Sequence, residues 1–329
     1  MLRDAKRLLT ERLKNYIPEK YKVTLMPHFC VDNFIRCDES CDSFIEKFKK
    51  TAAQGGGNTV MRQMLHIGGK ATNCASALAN LGLYPCLIAK TDILGYKLLE
   101  YFLEGKNVDI SHVSRDGELA FTTAIELQGV NIMFSFPGVT SQFGPEYLTE
   151  DDEELIRESD MVCISDWGLN NCGTKLARHV FSMVKKEGKG KTFFDPGDPS
   201  PKKEREDVEV KGIKNMLKQG LVDILSVNEN EVIRYGGIDF LRKVTRVDMH
   251  TEKYVKTFYN DKETEEIPAF NVEPKRLTGA GDAWNSGDIL GEAMGLPDEL
   301  RLLLANSVAA YYISDLEGKH PTRQDLMKT

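Results

Sequence analysis

A short segment of small residues late in the chain has the composition of a phosphate-transfer site. Gly279, Ala280 and Gly281 precede Asp282 and a run with helical hydrophobic spacing. Small residues allow close backbone approach, and a helix beginning here would direct N–H groups and its positive dipole end at an anion. Asp282 would then be a carboxylate beside a phosphate, able to accept a hydroxyl proton. Alternatively, Asp282 is an acidic residue that only stabilises the helix dipole.

A second glycine motif lies nearer the amino terminus. Gly68 and Gly69 open a run of small and apolar residues with helical spacing, which predicts a helix that ends at Gly82. The polar, glycine-rich stretch 51–63 precedes this motif. It is interpreted either as a flexible loop or as a mobile flap.

Most of the remaining chain alternates between strand and helix patterns. This order predicts a parallel sheet with helices on both faces. The first strand is predicted at 22–31, ended by Asp32 and Asn33, and the stretch 119–136 predicts a β-hairpin that turns at Gln128-Gly129. Further strands are predicted at 85–89, 161–165, 191–195 and 223–227, and helices at 151–158, 175–187 and 211–219.

Charge and hydropathy exclude several classes of partner. The 329 residues include 43 basic and 50 acidic ones, for a net charge of −7. A general nucleic-acid binder carries a basic surplus, so no nucleic-acid partner is expected. No apolar run reaches the ~18 residues that cross a bilayer, so no membrane partner is expected. The first residues indicate an amphipathic helix rather than a signal peptide, and a helix lying on a membrane surface is the alternative.

The cysteines and histidines suggest no metal centre. Seven cysteines, an odd number without a CxxC pair, are typical of reduced thiols and predict a cytoplasmic location. Cys37 and Cys41 are close enough to bridge or bind a metal, but no His/Cys pair follows at zinc-finger spacing. Six scattered histidines form no HExxH pattern. The sequence therefore predicts no transition-metal site.

Both glycine motifs resemble signatures of the PfkB carbohydrate kinases, the ribokinase-like family. Thr278, Gly279, Ala280, Gly281 and Asp282 match the family's second signature in order, whereas Leu277 departs from it. The segment 68–73 resembles the family's GGxxxN segment, and the overall resemblance runs from about residue 23 to 321. It implies one ribokinase-like α/β domain over 1–329, with a central mostly parallel sheet flanked by helices on both faces. A small β-sheet lid is expected from about 33–66 and 114–138.

The resemblance also implies roles for individual residues. Asp282 would be the general base, and Gly279, Ala280 and Gly281 would form the anion hole. Mg²⁺ would assist, with Glu231 reaching it indirectly through water, and ATP or ADP would be the phosphoryl donor. Substrate-binding residues would be Asp32, Gly68, Gly69, Lys70 and Asn73, and nucleotide-binding residues Asn228, Glu231, Thr278 and Asn306. From the residues alone, Asn228 and Glu231 have the spacing of a helix capping box, and both interpretations can hold.

These features predict a kinase that phosphorylates a hydroxyl of a small sugar, sugar phosphate or nucleoside. The alternative is a nucleotide- or sugar-binding regulatory homologue without turnover, which Leu277 and the lack of glycines near His250 would favour. A Rossmann dehydrogenase is excluded, because DNFIRCDES rather than GxGxxG follows the first strand.

Two further expectations concern substrate charge and assembly. Lys70, with Arg62 or Arg36, would neutralise an anionic group on the substrate, or else Lys70 is a solvated lysine at a helix start. The predicted lid exposes an edge and an apolar face, for which a second copy is the expected cover. A homodimer through the lid is therefore predicted, with this face formed by Phe121, Ile125, Ile132 and Phe134.

Overall fold

The computed structural model describes residues 2–17, 21–128, 130–276 and 278–328. Within these residues the chain forms twelve α-helices and fifteen β-strands. The helices are α1 (Leu2–Asn15), α2 (Cys41–Ala53), α3 (Lys70–Asn80), α4 (Ile93–Phe102), α5 (Glu150–Glu158), α6 (Gly173–Glu187), α7 (Glu206–Lys218), α8 (Glu229–Arg234), α9 (Ile238–Leu241), α10 (Ala280–Ala293), α11 (Asp298–Ser314) and α12 (Arg323–Leu326). The strands are β1 (Val23–Met26), β2 (Cys30–Arg36), β3 (Arg62–Gly68), β4 (Cys86–Leu87), β5 (Ala89–Lys90), β6 (Val113–Ser114), β7 (Ala120–Leu127), β8 (Val130–Phe136), β9 (Met161–Ser165), β10 (Lys191–Asp195), β11 (Ile224–Val227), β12 (Arg246–His250), β13 (Tyr254–Tyr259), β14 (Lys262–Glu263) and β15 (Ile267–Pro268).

The central sheet is mostly parallel, as predicted. Its order is β14-β13-β12-β11-β10-β9-β1-β4, and β15 also pairs with β13. The six strands from β12 to β4 are parallel, whereas β13, β14 and β15 add antiparallel pairs at one edge. Polar residues that follow the parallel strands therefore meet at one edge of the sheet, where ligands of open α/β folds bind.

Alternating side chains of the central strands build a core on each face of the sheet. In β9, Met161 and Cys163 belong to the core that α3, α10 and α11 cover, whereas Val162 and Ile164 face α6 and α7. Strands buried on both faces tend to be continuous hydrophobic runs, as 161–165 is, and both 161–165 and 191–195 have their predicted bounds.

A separate four-stranded sheet has the order β3-β2-β7-β8. The predicted hairpin is confirmed, with β7 and β8 antiparallel from Phe121↔Phe136 to Leu127↔Val130, while Gly129 in its turn lies outside the described residues. The stretch 51–63 is not one loop, because α2 runs through Ala53 and β3 begins at Arg62.

The single strand predicted at 22–31 is wrong. Pro27 interrupts it because proline has no N–H to donate to a sheet, so β1 ends at Met26. Strand β2 then begins at Cys30 and continues into the four-stranded sheet. Asp32 and Asn33 consequently lie inside β2 rather than ending the first strand.

Helix α10, which carries the glycine–alanine–glycine motif, packs closely against α11. A Cβ on Gly287 would lie 2.6 Å from the Ala305 Cα, so the close approach needs glycine. The fully buried Arg301 of α11 also forms ion pairs with Asp288 of α10 and Asp248 of β12. These contacts fix α10 relative to the sheet and so position its amino terminus.

The predicted amino-terminal amphipathic helix is α1. Its Leu9 and Leu13 are buried in the core that includes α11 and α12. The apolar face of the helix thus covers protein. Among the described residues, no helix combines the length and apolar character needed to cross a membrane.

Candidate active site

Helix α10 begins with an open amino terminus, as the motif predicted. Gly279 is the residue before the helix and has a φ of +87°, a left-handed conformation that favours glycine. A Cβ there would lie 2.3 Å from the Tyr312 hydroxyl, which itself donates to the Thr278 carbonyl at 3.1 Å. Since glycine has no side chain to cap the first turn, the N–H groups after Gly279 can bind an anion.

Asp282 lies in this first turn and connects the two glycine motifs. Asp282 is 5% exposed, and its carboxylate accepts a hydrogen bond of 2.9 Å from Asn73 Nδ2 in α3. Burial raises the pKa of Asp282 to about 7, although the positive charge of Lys70 acts in the opposite direction. A carboxylate with a pKa near neutrality can accept a proton and release it again at physiological pH.

Lys70, the first residue of α3, faces the carboxyl edge of the sheet. Its Nζ lies 3.0 Å from both carboxylate oxygens of Asp195, the last residue of β10. Burial disfavours the charged lysine, but Asp195 and Asp282 outweigh this effect and raise the Lys70 pKa. The Lys70 side chain, which is 30% exposed, therefore pairs within the protein, and its predicted contact with an anionic group of the substrate stays a prediction. Of its two suggested partners, Arg36 pairs with Glu126 at 2.8 Å and Arg62 is exposed.

The first glycine pair holds the backbone against β2. A Cβ on Gly68 would lie 2.4 Å from the Asp32 carboxylate, and one on Gly69 would lie 2.5 Å from the His28 carbonyl oxygen. Gly69 also has a φ of +89°, so both positions favour glycine. Asp32 is buried, which raises its pKa, and accepts a 3.2 Å hydrogen bond from the Cys30 thiol.

The ion pair between Asp166 and His28 was not predicted from the sequence. Asp166 follows β9 with a φ of +57°, a costly conformation for a residue other than glycine, and pairs with His28. Burial disfavours protonated His28, but Asp166, Asp32 and Asp282 together raise its pKa. The position of Asp166 at the carboxyl end of a parallel strand was the available signal, since ligand sites of such sheets form there.

The predicted capping box at the start of α8 is confirmed. Asn228 Oδ1 accepts from the Asn230 and Glu231 N–H groups at 2.9 Å, and Glu231 Oε2 accepts from the Asn228 N–H at 2.9 Å. Burial raises the pKa of Glu231, with Lys70 acting against the rise and Asp195 adding to it. The charges of Glu231 and Lys70 therefore each affect the pKa of the other residue.

Two other predicted nucleotide-binding residues have contacts within the protein. Asn306 accepts from Trp284 Nε1 at 3.2 Å and donates to the Pro268 carbonyl at 3.2 Å. Thr278 Oγ1 accepts from Asn131 Nδ2 of β8 at 3.1 Å, which connects the four-stranded sheet to the start of α10. Leu277, where the motif departs from the signature, lies outside the described residues.

His250 occupies the region where the chain lacks the expected glycines. Its ring stacks at a tilt on Trp284, with centroids 4.9 Å apart, and its Cε1 is 3.7 Å from where a Gly281 Cβ would be. Burial lowers its pKa to about 4, so the ring is neutral at physiological pH. Sequence patterns gave no indication of this packing, because strand β12 and helix α10 are distant in the chain.

A cavity of about 620 Å³ opens beside the contact between Asn73 and Asp282. The Arg276 guanidinium faces it, lying 5.3 Å from the Phe34 ring centroid and 5.0 Å from that of Tyr312. Lys106 lines it as well and donates to Ser76 Oγ at 2.6 Å. In the described part of the chain, neither cation forms an ion pair with a carboxylate.

Comparison with known proteins identifies the class. The model of the pfkB family of carbohydrate kinases matches residues 31–237, most of the chain. The chain therefore belongs to the pfkB family of carbohydrate kinases, and it is a phosphotransferase with an alcohol group as acceptor.

Solved structures share the fold over nearly their whole length. An adenosine kinase from Sinorhizobium meliloti is similar with a TM-score of 0.72 and 18% identity, covering 94% of this chain and 98% of that one. A nucleoside kinase from Methanocaldococcus jannaschii has a TM-score of 0.70 and 19% identity, with 94% and 97% covered. Arabidopsis thaliana ribokinase, in complex with ribose and ATP, has a TM-score of 0.71 and 17% identity, with 93% and 97% covered. The predicted ribokinase-like fold is confirmed.

Proposed function

We propose that the protein transfers the γ-phosphoryl group of ATP to a hydroxyl of a small sugar, sugar phosphate or nucleoside. The hydrogen bond between Asn73 and Asp282 carries this proposal, because it joins the helices that follow the two glycine motifs, and Asn73 also lines the cavity. The similar proteins include kinases named for adenosine, nucleosides and ribose, which supports an acceptor of this size.

Asp282 accepts the proton of the acceptor hydroxyl in the proposed reaction. A bond forms between the acceptor oxygen and the γ-phosphorus, and the bond to the bridging oxygen of ADP breaks. The N–H groups of Ala280 and Gly281 stabilise the charge on the transferring group, and Lys70 adds a positive charge nearby. Asp32, Gly68, Gly69 and Asn73 orient the acceptor. The four-stranded sheet is the proposed lid, which excludes water that would otherwise accept the phosphoryl group.

Glu231 provides a carboxylate of the kind that Mg²⁺ prefers, whereas both oxygens of Asp195 are already held by Lys70. Glu231 is 8% exposed and its pKa is raised by burial, so an added cation would compensate the charge of its carboxylate. Glu231, with Asn228 beside it, fits the ion and would hold it through water. When bound, Mg²⁺ neutralises phosphate charge in the transition state.

Turnover across a panel of acceptors tests the proposed function. Free sugars, sugar phosphates, nucleosides and inositols are each combined with ATP or ADP, and formation of the second product is followed by a coupled assay. We expect ATP-dependent turnover of at least one acceptor. If nucleotides bind but no pair is turned over, the regulatory homologue is the better description.

The two cations of the cavity favour an acceptor that already carries an anionic group. Arg276 and Lys106 lack a carboxylate partner among the described residues, and a phosphate in a partly closed site can pair with both. We expect Arg276→Met to raise KM for a phosphorylated acceptor at least ~10-fold, equivalent to ~1.4 kcal/mol, with little change for uncharged acceptors. Steady-state kinetics on both substrate classes measures this difference.

Lys319→Met is the matched control for Arg276→Met. Lys319 lines the same cavity, but it is exposed and already pairs with Glu317 at 3.3 Å. Its loss should change KM little, because exposed ion pairs contribute ~0–1 kcal/mol. Equal KM effects of Arg276→Met on charged and uncharged acceptors would contradict the anionic-acceptor interpretation.

The outer edge of the lid supports the predicted homodimer. Four residues of β8 alternate onto one face and are 37–61% exposed, namely Val130, Ile132, Phe134 and Phe136. Strand β8 pairs on one side with β7 and forms an edge of the sheet. An exposed apolar edge of this kind is stabilised when a second copy covers it.

We expect sedimentation at micromolar concentration to show a dimer that Phe134→Lys converts to a monomer. The substitution places a charge on the apolar face, and burying that charge unpaired would be costly. Ser135→Lys, on the opposite face of the same strand, is the control and should leave the dimer intact. A monomeric wild-type protein would rule out this assembly.

A further inference from the structure

A cysteine, an aspartate and a histidine come together at the opposite end of the sheet from the candidate active site. Cys86 is the first residue of the edge strand β4 and pairs with Thr24 of β1, so it lies toward the amino ends of the parallel strands. One potential ligand atom each from Cys86, Asp109 and His112 lies within 4.8 Å of the other two. None of these residues has a part in the proposed phosphoryl transfer.

Backbone pairing holds the first two side chains next to each other. Cys86 and Asp109 form a parallel bridge, in which the Leu87 N–H donates to the Asp109 carbonyl and the Asp109 N–H donates to the Pro85 carbonyl, both at 2.9 Å. Asp109 Oδ1 accepts from the N–H and hydroxyl of Ser111 at 2.9 and 2.7 Å. The carboxylate is thus oriented in advance beside the Cys86 thiol.

The third side chain has the support that metal-binding histidines need. Asp152 is buried and its Oδ1 lies 2.6 Å from His112 Nδ1. Its other oxygen accepts from the Thr149 N–H at 2.8 Å, which fixes the carboxylate at the start of α5. With Nδ1 donating to Asp152, the neutral ring carries its lone pair on Nε2. A carboxylate in this position orients a histidine and makes it a stronger ligand.

We propose that Cys86, Asp109 and His112 bind a zinc ion, with water as the fourth ligand. Zinc accepts this combination of sulfur, oxygen and nitrogen in tetrahedral sites. On binding, the Cys86 S–H bond breaks, a sulfur–zinc bond forms and the proton passes to solvent, with no change in oxidation state. Asp109 is exposed, so the ion can enter from solvent.

A bound ion would tie the edge strand β4, the segment 109–112 and, through Asp152, helix α5 into one unit. The sequence indicated no such site because the ligands lack the short regular spacing of zinc motifs. Cys86 and Asp109 become neighbours only through the pairing of their two segments.

Cobalt titration of the full-length, chelator-treated protein tests the site. Co²⁺ substitutes for Zn²⁺ and gives a thiolate-to-metal charge-transfer band when a cysteine is a ligand. We expect one equivalent of Co²⁺ to produce this band and Zn²⁺ to abolish it. Cys86→Ser should lose the band, and His112→Gln and Asp152→Asn should each weaken Zn²⁺ binding at least ~10-fold.

Two substitutions elsewhere serve as matched controls. Cys172→Ser removes a partly exposed thiol outside the cluster, and His179→Gln removes a histidine that contacts Glu153 at 3.3 Å. Both should bind as wild type. No charge-transfer band in the wild type, or an undiminished band in Cys86→Ser, would overturn the proposal.

Thermal unfolding gives a second measurement that does not depend on one variant. An ion that binds only the folded protein raises its Tm. Zn²⁺ should therefore raise the Tm of wild type and of both controls, but not of His112→Gln. The His112 side chain is partly exposed, so its replacement should leave the protein folded. An equal rise in His112→Gln would overturn the assignment, whatever the outcome of the kinase assays.

Discussion

Asp282→Asn is expected to lower kcat at least ~100-fold while changing acceptor KM much less. Asparagine keeps the size of the side chain and can keep a hydrogen bond with Asn73, but it cannot accept the hydroxyl proton. A residue that acts mainly in the transition state lowers kcat rather than substrate affinity. Steady-state kinetics with the best acceptor of the panel measures both constants.

Asp207→Asn is the control that separates a base from a dipole-stabilising acid. Asp207 is an exposed acidic residue in the first turn of α7, so the same substitution removes a helix-terminal charge without touching the cavity. Its effect should be confined to stability, at ~0.3–1 kcal/mol. If Asp282→Asn retained nearly normal kcat, as Asp207→Asn should, Asp282 would be only a structural acid.

The pH dependence of the wild-type enzyme follows from the same carboxylate. Asp282 must be ionised to accept a proton, so kcat/KM should rise with pH through about 7, the raised pKa of this group. The folded protein also holds this proton at a pH where the unfolded chain has lost it. Asp282 therefore contributes stability that is fully present below its ordinary pKa of 3.8 and is lost as pH rises through about 7. Asp282→Asn should accordingly gain most in Tm relative to wild type above neutral pH.

Local patterns predicted most of the fold. Strands buried on both faces and helices with one apolar face leave clear periodicities, and the hairpin at Gln128-Gly129 carries a typical turn signal. The strand at 22–31 was wrong because its apolar pattern continues through Pro27, while the backbone leaves one sheet and enters another. Hydropathy alone does not report such a change of sheet.

The candidate site was predicted only where its residues belong to short motifs. Gly279 and Gly69 adopt left-handed backbone conformations. Because such conformations favour glycine, these positions can be recognised in the sequence by their residue type. The partners of Lys70 and Asp282 could not be predicted, because Asp195 and Asn73 reach them only after the sheet has formed. The pairing of His28 with Asp166 was missed for the same reason, because His28 lies between β1 and β2 and Asp166 follows β9, far apart in the chain.

Lys70→Met is expected to lower kcat/KM at about neutral pH by at least ~100-fold, with a loss that shrinks as pH rises. Lys70 is the main influence that holds the Asp282 pKa down, so its removal should move the acid limb of the pH profile upward. The transferring phosphoryl group also loses a positive charge, and one such group contributes ~10²–10³-fold. Lys70→Arg keeps the charge and should keep the wild-type acid limb. If the acid limb of the pH profile does not shift in Lys70→Met, Lys70 does not act on Asp282. The variant is also expected to be less stable, because Asp195 loses its partner. Destabilisation alone would lower activity equally at every pH.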